Sequence, residues 1–124
     1  MNQTELLEKY KAQSVHYFEN ALTSIQAGEA EKAGEFLWGS LAEAIKAVAA
    51  SKRAELKAHW EIGDYARRLA KEMKDESILN VYRDASYLHS NYYEAGLTIE
   101  EIQTYVDRIR TTVVKLLGLI PGEE

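Results

Sequence analysis

The sequence carries one proline, Pro121, and it stands beyond every apolar-periodic stretch. Proline removes a backbone donor and clashes with the preceding turn, so the residues before it meet no such obstacle to helix. Glycines punctuate them instead: Gly28, Gly63, Gly96 and Gly118 are natural stops or joints. β-Branched residues are sparse before Thr98, and no stretch alternates apolar with polar residues, so strands find no support. The expectation is an all-α, up-and-down bundle of about five helices, one domain over residues 1–124.

The apolar spacing sets the expected limits. Helix one covers 3–27, with Leu7, Tyr10, Ser14, Tyr17, Ala21 and Ile25 at steps of three and four and Phe18 and Leu22 widening the stripe. Helix two covers 29–53 and buries Ala33, Leu37, Ala44, Ile45 and Val48. The segment from Ser51 to Gly63 reads as a connection, with His59, Trp60 and Ile62 as its apolar anchor. Asp64 then caps helix three, 64–74, and helix four covers 75–95 with Ile78, Tyr82, Ala85, His89 and Tyr92 on one face. Thr98 and Glu101 form a capping box for helix five, 98–117. Its seam is the most regular: Ile99, Ile102, Val106, Ile109, Val113, Leu116 and Ile120 serve as core or as an interface. That regularity motivates the expectation of a homodimer.

Composition closes off several chemistries. With 46% hydrophobic and 28% charged residues, the chain can bury a core and remain soluble. It has no cysteine, which excludes disulfides, thiolate metal sites and a cysteine nucleophile. The first residues show neither a basic nor an apolar leader pattern, and no apolar run reaches the roughly 18 residues of a membrane span. A cytoplasmic protein without cofactor or metal is expected. The net charge of −5 is uneven: residues 46–74 hold eight basic and four acidic residues, which leaves −9 on the remainder. This segment offers Arg67 and Arg68 as candidate anion-binding residues, or simply a solvated helix face.

Few residues could carry chemistry. His16 and Glu19 lie three apart without a third ligand in view, and His59 beside Trp60 reads as a packed or half-exposed pair. Arg83-Asp84-Ala85-Ser86-Tyr87-Leu88-His89 is more suggestive. A histidine can move a proton at an RNA 2′-hydroxyl or leaving oxygen, and an arginine can hold the phosphate and its developing charge. Six helical residues, however, separate the two side chains by about 120° around the axis and about 9 Å along it. Convergence on one phosphate needs a kink or a second copy across a dimer axis. The alternative is a core histidine beside Tyr82, Ala85 and Tyr92, with Arg83 on the surface paired to Asp84 or Asp75.

Two segments resemble a known family. Gly28 to Lys46 resembles the second-helix signature of the archaeal PaREP family. Leu88-His89-Ser90-Asn91-Tyr92-Tyr93-Glu94 resembles its other characteristic stretch. That family is similar in fold to HEPN domains, helical bundles that often dimerise. Many HEPN ribonucleases use an Arg, four to six residues and a His, with a polar residue after the Arg; Arg83, Asp84 and His89 match position by position. Other HEPN-like proteins bind nucleotides or a partner nucleotidyltransferase. The resemblance implies Arg83 and His89 as catalytic candidates, with Asp84 in support and Asn91 and Tyr93 as binding candidates. A helical dimer that binds a nucleotide, RNA or a partner protein is the expectation; a metal-independent RNA endonuclease with a composite Arg/His site is the alternative. A purely structural interaction module is also open, since the first two helices resemble a tetratricopeptide-like hairpin without a recurring period.

Overall fold

The computed structural model describes residues 2–90 and 96–122, and it is an all-α bundle. Its helices are α1 (Gln3–Gln26), α2 (Ala30–Ser51), α3 (His59–Met73), α4 (Glu76–Ser90) and α5 (Ile99–Gly118). Among the described residues there is no strand, and no helix is long and apolar enough to cross a membrane.

The central element is α2. It is the one helix apolar almost all round, with Leu37, Leu41, Ala44, Ile45, Ala47, Val48 and Ala49 fully buried. A helix of that kind must be surrounded, and α2 packs against each of the other four. Its alanines let those neighbours come close. Between α1 and α2 the contact is further tied by two serines. Ser14 Oγ donates to the Ser40 carbonyl at 2.7 Å, and Ser40 Oγ donates back to the Ser14 carbonyl at 2.8 Å. Both serines are fully buried, so each hydroxyl needs the partner it has.

Helix five turns its seam inward. Ile102, Val106, Ile109, Val113, Leu116 and Ile120 are buried within the chain's own core. A dimer is therefore not needed to cover them. The expected capping box is present: Glu101 N donates to Thr98 Oγ1 at 3.2 Å, and Thr98 N donates to Glu101 Oε1 at 3.3 Å. Helix one is amphipathic in a weaker sense, burying only small side chains fully (Ser14, Ala21 and Ser24) while Val15 and Leu22 stay exposed.

Helix three corrects the expectation most. It begins at His59 rather than Asp64, so Gly63 lies inside it instead of breaking it. The glycine is needed for packing: a Cβ there would sit 2.9 Å from the Tyr82 hydroxyl of α4. Trp60 is no anchor, being 71% exposed, whereas Ile62 is buried. Glu61 accepts from Ala58 N at 2.8 Å and so holds the new helix start in place of a capping aspartate.

The C-terminal ends of α1, α2 and α3 share one device. At α1 the left-handed residue is Gly28, φ +76°, with Glu29 N donating to the Ser24 carbonyl. Ends at α2 and α3 repeat that hydrogen bond, from Ala54 N to Ala49 O and from Asp75 N to Ala70 O. There the left-handed residues are Arg53 (φ 62°) and Lys74 (φ 53°), where glycine would be the easier choice.

One carboxylate is pinched by this packing. Glu43, on α2, has a side chain only 12% exposed, and its Oε1 lies 3.7 Å from Lys46 Nζ. Its Oε2 is buried without a hydrogen-bond partner among the described residues. Burial pushes the Glu43 pKa upward, and Lys46 and Lys9 pull it only partly back.

Candidate functional site

Helices α1 and α4 lie on either side of α2 and do not meet among the described residues. That leaves a groove over the N-terminal half of α2. A cleft of about 320 Å³ opens there, lined by Tyr17 from α1, Glu35, Phe36, Trp38 and Gly39 from α2, and His89 from α4. Helical spacing explains the floor: residues 35, 36, 38 and 39 share one side of α2. Gly39 keeps that side low, and the Tyr17 ring occupies the space, 3.0 Å from where a Cβ would stand. Phe36 extends the wall, with its centroid 6.1 Å from that of Tyr17.

On the other wall, His89 lies flat on Trp38, with ring centroids 5.1 Å apart and planes 19° apart. His59 stacks on the same indole at 4.8 Å and 16°. The two imidazole centroids are 5.5 Å from each other. Those three distances form a nearly equilateral triangle, so both imidazoles sit side by side over one face of Trp38. Tyr82 meets the indole edge-on at 5.7 Å. Burial raises the pKa of its phenol, and the nearby Arg67 charge offsets part of that rise.

His89 is held from one side. Its Nδ1 donates to Glu35, 3.0 Å from Oε1 and 3.2 Å from Oε2. This hydrogen bond fixes the ring orientation and puts the proton on Nδ1, which leaves Nε2 as the basic atom of the neutral ring. Both side chains are about one-third exposed, 35% for His89 and 37% for Glu35. A histidine oriented by a carboxylate at the edge of an open cleft can accept or return a proton, or present its face to a flat ligand.

The other expected site residues go elsewhere. Arg83 is exposed and has no partner among the described residues. Asp84 is paired with Arg108 of α5 at 3.1 Å, and Asp75 with Lys115. Neither acid holds Arg83, and a single copy of α4 does not bring Arg83 and His89 together. Arg67 is exposed and bonds to Asp64 at 3.4 Å, while Arg68 lies over the Tyr65 ring. Asn91 and Tyr93, with Tyr92, lie outside the described residues. His16 bonds to Asn20, and no group of metal-ligating side chains is assembled among the described residues.

Sequence spacing does not single out Glu35, Tyr17, Trp38 and Gly39 as one site. A usable signal was the presence of Glu35 and Trp38 on a helix otherwise dominated by small aliphatics. His59 stands in a segment that reads from sequence as a connection, and the structure puts it on the first turn of α3.

The fold and groove define a helical-bundle protein with a ring-lined cleft on its central helix. The chain belongs to the archaeal PaREP1/PaREP8 family, whose model matches residues 9–113. It is also similar to a Sulfolobus solfataricus protein of known crystal structure, with a TM-score of 0.76 and 18% identity over 88% of this chain and 97% of that one. At that identity the likeness concerns the fold. No curated protein matches the chain.

Proposed function

We propose that this chain binds a nucleotide, free or as a unit of single-stranded RNA, in the groove between α1 and α4. The observation that carries the reading is the pairing of ring walls, Tyr17 and His89, on opposite sides of a groove with Glu35 and Gly39 on its floor. Flat rings accept the π-face of a base, and each such stack is worth about 1–3 kcal/mol. A second depression of about 460 Å³ adjoins the groove through Glu35 and Phe36, and brings Asn20, Thr23 and Lys32. Asn20, Thr23 and Ser24 suit the hydroxyls of a sugar next to the base, and Lys32, 3.1 Å from Glu29, is the single cation of that lining. The expected result is saturable binding of nucleoside monophosphates or short RNA by calorimetry, lost about tenfold or more in Tyr17→Ala. Absence of heat with every nucleotide and every RNA tried would reject it.

RNA cleavage is a second reading, supported by the His89–Glu35 hydrogen bond with His59 close by. One imidazole would take the 2′-hydroxyl proton while the other returns a proton to the leaving 5′-oxygen. The phosphate charge would fall to Arg83 of a second copy, in the HEPN-like homodimer that the resemblance implies. A digest of labelled single-stranded RNA in chelator tests this. Wild type should cut, His89→Ala and His59→Ala should not, and sedimentation should show a dimer.

A further inference from the structure

The groove accounts for Tyr17, Glu35, Trp38 and His89 and leaves the exposed start of α3 without a use. We infer that the groove receives a strand rather than a free nucleotide: single-stranded RNA runs from it past His59 onto the outer face of α3, where Trp60 stacks a second base and Arg67 holds a phosphate. The inference rests on the nucleotide-binding reading above.

Trp60 is 71% exposed, the most exposed of the large apolar side chains among the described residues. Tryptophan is on average a well-buried residue, and the chain's other tryptophan, Trp38, is 9% exposed. The core does not use Trp60, because Ile62, Tyr65, Ala66, Leu69 and Ala70 supply the buried face of α3. Its position does join it to the groove. Trp60 follows His59, which stacks on Trp38 with its ring 5.5 Å from that of His89, the wall of the groove. Rings therefore continue from Tyr17 and His89 through His59 to Trp60. Stacking of successive bases on such rings holds single strands with little regard to sequence.

Charge favours a strand on this face over a lone phosphate in the groove. The depression next to the groove is lined by two carboxylates, Glu29 and Glu35, and its cation, Lys32, is already paired with Glu29. On α3, residues 60 and 67 are seven apart, so Trp60 and Arg67 share one stripe of the helix, about 10 Å from each other along its axis. The ion pair of Arg67 with Asp64 is long, 3.4 Å, and both side chains are more than half exposed, an arrangement worth little in water. A phosphate next to Trp60 offers the guanidinium a two-point, charge-assisted partner in its place. Asp64 is the acid on this stripe. Glu61 is turned to the helix start, where it accepts from Lys57 N and Ala58 N at 3.2 and 2.8 Å. Glu55 lines the depression beside Trp60 with Tyr65 and Arg68, and Arg68 is drawn over the Tyr65 ring. Lys71, also exposed, continues the stripe one turn beyond Arg67.

The test is calorimetry over a range of salt with AMP, GMP, CMP, UMP and a mixed-sequence hexanucleotide RNA, on wild type, Trp60→Ala and Arg67→Gln. Wild type should bind the hexanucleotide about tenfold or more tighter than any mononucleotide. Trp60→Ala should weaken the hexanucleotide about five- to a hundredfold and leave its salt dependence as it was. Arg67→Gln should lower the slope of log K against log salt by about 0.7, the share of one phosphate on a single strand. Neither substitution should move mononucleotide affinity by more than about twofold. A thermal melt reports whether the variants fold, and Trp60→Tyr, which keeps a ring, should retain most of the strand affinity. Acrylamide quenching adds a direct reading: Trp38 is nearly enclosed, so a bound hexanucleotide should shield Trp60 and a bound mononucleotide should not. A hexanucleotide bound no tighter than a mononucleotide overturns the extension onto α3 and leaves the groove standing as a nucleotide site. Hexanucleotide affinity that Trp60→Ala and Arg67→Gln both leave intact overturns the assignment of this face and gives it to a partner protein. No binding of any nucleotide or RNA overturns both readings together.

Discussion

Glu35 and Glu43 are the same residue on the same helix, and their surroundings differ in every respect that matters to a carboxylate. Glu35 stands at the open end of α2, about one-third exposed, with a hydrogen bond from His89 and a cleft before it. Glu43 lies under α1, nearly enclosed, with one oxygen unpartnered and its pKa raised by burial. Water reaches the first and solvates whatever His89 does not. The second must do with Lys46, 3.7 Å away, and a buried charge without full pairing costs stability. Packing density decides between them: α1 covers α2 closely at Glu43, whereas the gap between α1 and α4 leaves Glu35 exposed. An ionisable side chain kept accessible in an otherwise well-covered helix keeps much of its hydration, and one pressed under a neighbour is a cost that the core tolerates.

The largest loss is expected for Leu37→Ala. Leu37 is fully buried between the two glutamates in sequence, so its truncation should cost about 2–5 kcal/mol in chemical denaturation and loosen both surroundings. A loss below 1 kcal/mol would mean that α2 is not the centre of the core.

Removing the carboxylates themselves sharpens the contrast. Glu43→Met deletes a buried acceptor without a partner and should stabilise by about 1–3 kcal/mol at pH 7. The sign of its pH dependence follows from the raised pKa. The folded state holds the Glu43 proton more tightly than the unfolded state, so the wild-type penalty is absent below the ordinary carboxyl range. It grows as pH rises through the folded pKa. The gain from Glu43→Met should therefore shrink on acidification and vanish below about pH 4. Glu35→Met should shift stability by less than about 1 kcal/mol, as for other exposed pairs. If the two substitutions move the denaturation midpoint equally and in one direction, the distinction between the glutamates fails.

Much of the fold can be read from the sequence, for identifiable reasons. Apolar spacing from Ile102 to Ile120 exposes α5 and its buried face, and Thr98 with Glu101 announces its start. Gly28 marks the end of α1 because a left-handed residue there favours glycine. The same geometry at Arg53 and Lys74 carries no glycine and leaves no such mark. Gly63 misleads in the opposite way: it serves the Tyr82 contact between α3 and α4, which no local pattern contains. The candidate site is less legible still. Arg83 and His89 are close in sequence and diverge around α4, while His89 and Glu35 are 54 residues apart and share a hydrogen bond. Periodicity reports which way a residue points, and the site depends on which other helix it meets.

The reciprocal bonds between Ser14 and Ser40 have an evolutionary consequence. Sliding α1 along α2 by one turn would strand two buried hydroxyls and the carbonyls they reach, so the two helices are locked in alignment. Three residues beyond Ser14 comes Tyr17, and one before Ser40 comes Gly39, the pair whose close fit shapes one wall of the groove. Among relatives, positions 14, 17, 39 and 40 should drift as a linked set, with a bulkier residue at 39 tolerated only where 17 shrinks and the serine pair is replaced on both helices. Two residues remote from any ligand would then constrain what the groove can become.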